Sequence, residues 1–248
     1  MLHAERRNEV ALVTANFGGI DELSGLPPHD GIDAFYYTDE ATRSGADSTA
    51  IASWTQVLVP DYPRHDFGAR LRARYFKHQI HRLDEVRNHR WLVWADSSLQ
   101  FHETDFILEH VEKLRSLPPR KRILVVPHPE RRTIREEYEF IRDLIAQGNE
   151  YLILRYQQEK MTEQMEYFRR QGWDLEARLW CGTFWIVENS DLLNRLWDDW
   201  WDQNIRFGMM DQLSLPVLLD HHGCDPEQLD VVLWENAHFI HVKHHRNI

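Results

Sequence analysis

Short apolar runs rich in β-branched and aromatic residues alternate with longer stretches in which apolar positions recur every three or four residues. The short runs, at 10–15, 34–37, 55–59, 91–94, 123–126, 183–187, 231–234 and 239–242, are predicted as strands. The longer ones, at 68–86, 105–116, 134–147, 160–171, 191–204 and 211–219, are predicted as helices. This alternation predicts an α/β fold, a mostly parallel central sheet with helices on both faces. Pro27-Pro28, Pro118-Pro119 and Gly223 read as loop punctuation, so one domain over 1–248 is expected.

The strand at 91–94 runs into Ala95-Asp96-Ser97-Ser98, a carboxylate and two hydroxyls where another hydrophobe would continue the run. Open α/β sheets bind ligands in the crevice outside their strand ends, which makes Asp96 and Ser98 candidate donor-binding groups. A helix or turn cap is the other reading of Asp96. The first strand ends in Thr14-Ala15-Asn16-Phe17-Gly18-Gly19. A glycine pair there lets backbone approach a ligand, and a nucleotide base would lie against Thr14 and Ala15; an ordinary turn explains the glycines equally well. The spacing is not G-x-G-x-x-G, so that dinucleotide fold is unsupported. Asp39 closes the next strand as a candidate ribose or base contact.

Arg70, Arg74, Lys77 and His81 stand at i, i+4, i+7 and i+11 of one predicted helix and share a narrow face. No acid occupies the intervening i+3 or i+4 positions, so an anion is expected opposite them. A diphosphate satisfies that, with Arg as a forked donor and Lys as a point charge; a solvated basic stripe is the alternative. Asp211-Gln212 opens a predicted helix, where an acid is a favourable cap or a group for sugar hydroxyls and general-base work. The strand led by Cys181-Gly182 offers a small-residue entrance for a sugar ring. Thr133 and Glu136 have capping-box spacing, and His128 reads as a loop histidine.

Composition narrows the class. The chain has 248 residues with 29 basic against 40 acidic, a net charge of −11, which argues against a general nucleic-acid binder. Two cysteines, Cys181 and Cys224, give no disulfide framework, and the polar N-terminus lacks a signal-peptide core. No apolar run nears the roughly 20 residues a membrane helix needs. A cytoplasmic location is therefore expected, with room for peripheral membrane contact. The histidines near the C-terminus, His241 and His244 among them, are candidate metal ligands beside the lone Asp96. H-E-x-x-H, G-x-S-x-G and P-loop motifs are absent.

Taken in order, the strand–glycine loop, basic helix, Asp96 strand end, Gly182 strand, Asp211-Gln212 and terminal His/Lys segment resemble GT-A type glycosyltransferases. Ala73-Arg-Tyr-Phe-Lys-His78, Trp91-Leu-Val-Trp-Ala-Asp-Ser-Ser-Leu99, His128-Pro-Glu-Arg131, the 164–172 segment and Asp211-Gln-Leu-Ser-Leu-Pro216 resemble more closely the TOD/MUCI glycosyltransferase-like group, known as domain of unknown function 616. The resemblance implies that Arg74 and Lys77 face a donor diphosphate, that Asp96 holds a metal or ribose, and that Asp211 and Gln212 touch the sugars. Ser98 stands where glycogenin-like relatives carry a second Asp, which leaves open whether Mn2+ or Mg2+ is needed, completed by His241 or His244. The implied activity is transfer of a sugar from a UDP-type nucleotide-sugar donor to a glycan or lipid-linked acceptor, as in cell-surface polysaccharide synthesis. A metal-dependent hydrolase and a non-catalytic glycan-binding module are the rival readings.

Overall fold

A computed structural model describes residues 8–19, 21–44, 47–59 and 68–242. In chain order the elements are β1 (Val10–Asn16), β2 (Ile32–Thr38), α1 (Glu40–Ser44), α2 (Ser48–Ala52), β3 (Thr55–Leu58), α3 (Ala69–His78), β4 (Trp91–Ala95), β5 (Leu99–Phe101), α4 (Asp105–Arg115), β6 (Ile123–Pro127), α5 (Ile134–Ala146), α6 (Glu150–Tyr156), α7 (Met161–Gln171), β7 (Trp180–Glu188), α8 (Asp191–Phe207), α9 (Leu215–His221), β8 (Glu227–Gln228) and β9 (Phe239–His241).

Seven strands form one sheet in the order β3-β2-β1-β4-β7-β6-β8, and β5 pairs with β9 in a second, two-stranded sheet. Within the large sheet β7 runs antiparallel to both neighbours, and every other pairing is parallel. The predicted mostly parallel α/β fold is therefore what forms.

Strand periodicity sorts the core. Val10 and Leu12 of β1 pack on one face with Ile51 of α2 and Phe106, Ile107 and Leu114 of α4. Ala11, Val13 and Ala15 point the other way, onto Phe76 of α3, Leu193, Trp197 and Trp200 of α8, and Leu215 and Leu218 of α9. Every residue of β1 is buried, because a parallel strand covered on both faces meets no water. A third cluster joins α5, α6 and α7 to Met210, Leu213 and Val217.

The chain passes from β1 outward through β2 to β3, then returns across the sheet to place β4 on the other side of β1. The sheet thus has its topological switch between β1 and β4, and the crevice of such a fold lies beyond their carboxyl ends.

Three elements depart from prediction in more than their end residues, while β7 begins three residues earlier and α8 ends three later than expected. The 68–86 helix stops at His78, and Ile80–Arg82 follow as a 3-10 turn. The 211–219 helix divides into a 3-10 turn, Asp211–Leu213, and α9, with Pro216 at the start of α9 where its missing N–H costs nothing. The run at 231–234 forms no strand, and Val232 is exposed.

Candidate functional site

β4 delivers Asp96 to the switch point. Trp94 and Asp96 are two apart on an extended backbone, so their side chains share a face, and the Trp94 indole N–H donates to Asp96 Oδ1 at 2.6 Å. The Asp96 amide donates to the Thr183 carbonyl of β7, which fixes the backbone as it leaves the sheet. About 30% of the Asp96 side chain stays open to solvent.

Beneath it lies a cluster of buried charges. Lys77, on the last turn of α3, places Nζ 3.5 Å from Asp96 Oδ1 and donates to Asp211 Oδ2 at 2.7 Å. Arg74, one turn earlier, donates to the same Asp211 oxygen at 2.6 Å. Asp211 retains 6% of its side-chain surface, Lys77 1% and Arg74 16%. The anion expected opposite the basic face is thus supplied by the protein itself.

The approach to Asp211 is tightly specified. Gly208 ends α8 at φ 137°, a conformation that side-chain-bearing residues rarely adopt. The Met210 amide donates to Glu159 Oε2, and the Trp200 indole N–H donates to the Asp211 carbonyl. Burial by itself would raise the Asp211 carboxyl, but Arg74 and Lys77 outweigh it and hold the group well below the usual carboxylate range. His78, 3.8 Å from Asp211, is fully buried, and burial pushes its imidazole down to about 4, so it is neutral at neutral pH.

Gly182 explains itself here. A Cβ on Gly182 would stand 2.8 Å from Lys77 Nζ and 2.9 Å from Asp211 Oδ2. The small residue admits the ion pair, not the sugar ring suggested by its position in the strand.

Asp39 binds the β1 turn to α1. Its carboxylate accepts the Gly18 and Thr42 amides, and Arg72 lies 3.8 Å away. Burial disfavours the charge, yet the Thr42 and Gly18 hydrogen bonds keep the carboxyl below its ordinary range. Thr14 and Ala15 lie inside β1, nearly closed to solvent, and the buried Thr14 hydroxyl has no hydrogen-bond partner among the described residues. Surface beside them begins at Gly18.

The fourth member of the predicted basic row departs. His81 falls in the 3-10 turn beyond α3 and faces Asp198 at 3.1 Å. Arg70 is on α3 but lines a separate cavity. Gln212 is half-buried next to Asp211.

The β5–β9 pairing folds the C-terminal segment back against the Asp96 strand end. The Val242 amide donates to the Ser98 carbonyl, and His241 Nε2 lies 3.3 Å from Ser98 Oγ. His244 lies outside the described residues. Among the described residues no three His, Cys, Asp or Glu side chains come together as a metal-binding group. Asp96 Oδ1 already faces an indole donor and the Lys77 ammonium. Asp96 and His241, the described members of the expected set, do not by themselves fit a divalent cation, which asks for several oxygen or imidazole ligands free of competing positive charge.

Trp94, Trp200 and His78 complete the site without having been given a role from sequence, and Gly182, expected to admit a sugar ring, takes part by making room for the ion pair. Only Trp94, two residues before Asp96 on a predicted strand, carried a local signal.

No family model matches the chain, and no curated protein matches it. Among solved structures it is similar to mouse Xyloside xylosyltransferase 1 in its apo form, at 12% identity and TM-score 0.47, covering 88% of this chain and 84% of that one. At those values the similarity assigns no activity to the chain. No helix among the described residues is long and apolar enough to cross a membrane.

Proposed function

We propose that the chain is a glycosyltransferase that moves a sugar from a nucleoside diphosphate donor to a glycan or lipid-linked acceptor. The observation that carries this reading is the half-open Asp96 carboxylate at the switch point, set between the Trp94 indole and the Lys77 ammonium. In the reaction the bond from the anomeric carbon to the diphosphate breaks and the electron pair leaves with the nucleotide. A bond from the acceptor oxygen forms, and the acceptor hydroxyl passes its proton to an oxygen of the departing diphosphate. Such a step needs positioning and charge stabilisation more than an elaborate acid–base apparatus.

The roles follow from access. Asp96, the more open of the two, and Arg74 would contact the donor, with Asp39 beside the ribose and Ser98 at the rim. Lys77 is closed to solvent and acts through the two carboxylates, fixing their orientation and the local field. Asp211, held ionised by two cations, is a weak proton acceptor at neutral pH. Its charge is taken up by Arg74 and Lys77, so it would hold those two cations in place, while the half-buried Gln212 beside it would meet the sugar hydroxyls. The expected Mn2+ or Mg2+ enters no step, because Asp96 Oδ1 is already engaged by the Trp94 indole and the Lys77 ammonium.

A thermal-shift screen of nucleoside diphosphates, with and without manganese, tests the reading. Stabilisation by one nucleotide supports it, since a ligand that binds only the folded state raises apparent stability. A flat response across the panel overturns it.

A further inference from the structure

The start of α3, the 158–160 segment and the end of α8 enclose a cavity of about 620 Å3, within the usual range for small-molecule sites. Ile205, Phe207 and Met209 give it an apolar wall, and Ile205 leaves 46% of its surface open. Arg70 and Met209 tie it to the proposed donor site. Arg70 precedes Arg74 by one turn of α3, about 6 Å along the axis, and Met209 precedes Asp211 by two residues.

Its charges do not balance. The Arg70 guanidinium makes no ion pair or hydrogen bond with any described residue. Arg206 stacks on Tyr167 and Phe207, at 4.4 and 4.9 Å, with no carboxylate partner among the described residues. Lys160 has Glu163 no nearer than 3.9 Å. Among the described lining residues Glu159 is the one acid, set against Arg70, Arg206 and a Lys160 that also pairs with Glu163 outside the lining. Glu159 Oε2 accepts the Met210 amide and its Oε1 has no hydrogen-bond partner among the described residues, while burial pushes the carboxyl up to about 6. In a chain of net charge −11, a locally cationic cavity with an apolar wall needs a reason.

We propose that this cavity is the acceptor site, and that it takes a molecule joining an apolar body to an anionic group. The guanidiniums would grip the anion with forked hydrogen bonds, and the Ile205–Phe207–Met209 wall would cover the apolar body. The assignment rests on the glycosyltransferase reading for the word acceptor; the ligand chemistry stands on the cavity itself.

The probe is phenyl phosphate, with phenol and inorganic phosphate as its two halves, titrated into the full chain carrying 13C-methyl methionine. Among the five methionines, Met209 lines the cavity and Met209→Leu identifies its signal. Phenyl phosphate should shift the Met209 methyl saturably and leave the buried Met165 in place. Phenol and inorganic phosphate should bind at least tenfold more weakly, and Arg70→Gln should weaken phenyl phosphate at least tenfold. An unmoved Met209 signal, equal binding of phenol alone, or an Arg70→Gln variant that binds as well as the parent overturns the proposal. Displacement of phenyl phosphate by UDP puts both in one site and also overturns it. UDP is titrated separately on the same sample, so loss of nucleotide binding with the cavity result intact sinks the donor reading alone.

Discussion

Lys77 donates a 2.7 Å hydrogen bond to Asp211 across 134 positions of sequence, and 1% of its side chain reaches solvent. A buried ion pair of this kind is a weak guide to net stability, but breaking one half of it is costly. Asp211→Ala should therefore destabilise the fold by about 3–5 kcal/mol, because it strands Lys77 and the largely buried Arg74. Lys77→Met with Asp211→Leu should recover part of that loss. Urea unfolding of the single and double variants measures both, and strictly additive losses would show that the pair is not coupled.

Gly182→Ala tests the packing of the same pair. The added methyl would meet Lys77 Nζ at 2.8 Å and Asp211 Oδ2 at 2.9 Å, so one of them has to move. Overpacking costs about 1–3 kcal/mol, and the displaced Asp211 should lower nucleotide-sugar turnover by tenfold or more. Normal stability and turnover together would place the pair elsewhere.

Acid should weaken the fold through His78 before it reaches Asp211. The imidazole is depressed from 6.5 to about 4, so the unfolded chain binds the extra proton between those values. Stability conferred by neutral His78 is complete above about 6.5 and falls as pH drops toward 4, by about 3 kcal/mol over the window. His128, also lowered to about 4 by burial, adds in the same direction. Asp211, with its carboxyl held below the usual range, contributes stability that is present above the unfolded value and lost only at still lower pH. A His78→Phe variant should show a shallower fall between pH 6.5 and 4 by denaturant titration; an unchanged slope would contradict the assignment.

Glu159 runs the opposite way. Burial raises its carboxyl from 4.5 to about 6, so its contribution is most favourable below about 4.5 and declines as pH rises through 6. Glu159→Gln keeps an acceptor for the Met210 amide and removes the charge. The variant should gain about 1–2 kcal/mol relative to the parent at pH 8 and little at pH 4.5, a difference that paired urea titrations resolve.

Much of the sheet was legible because β1, β2, β4, β6 and β7 are apolar runs buried on both faces, where local pattern and tertiary burial agree. The 231–234 run failed because only its last residue meets a strand edge, the His241 amide of β9 donating to the Trp234 carbonyl, while β8 already borders β6 and Val232 is exposed. Tertiary context overrode β propensity there. The short helix α6 was missed although its Asn149 cap, accepting the Leu152 amide, is a readable start signal; seven residues are too few to establish a period.

At the site, the basic face of α3 could be read from spacing, but its partner could not. No acid lies within one turn of Arg74 or Lys77 in sequence, so the row looked uncompensated. Folding supplies Asp211 from beyond α8, and the glycine that makes room for it sits on β7. Such non-local pairs leave no periodic trace. Asp96 was found because a strand end announces itself locally.

The most direct measurement is calorimetric titration of UDP and GDP into the parent protein, Asp96→Asn and Arg74→Gln. One nucleotide should bind the parent at a single site, and each substitution should weaken it at least tenfold while the variants stay folded by circular dichroism. Absence of nucleotide binding by the parent, or equal affinity in all three proteins, would contradict a donor site at Asp96.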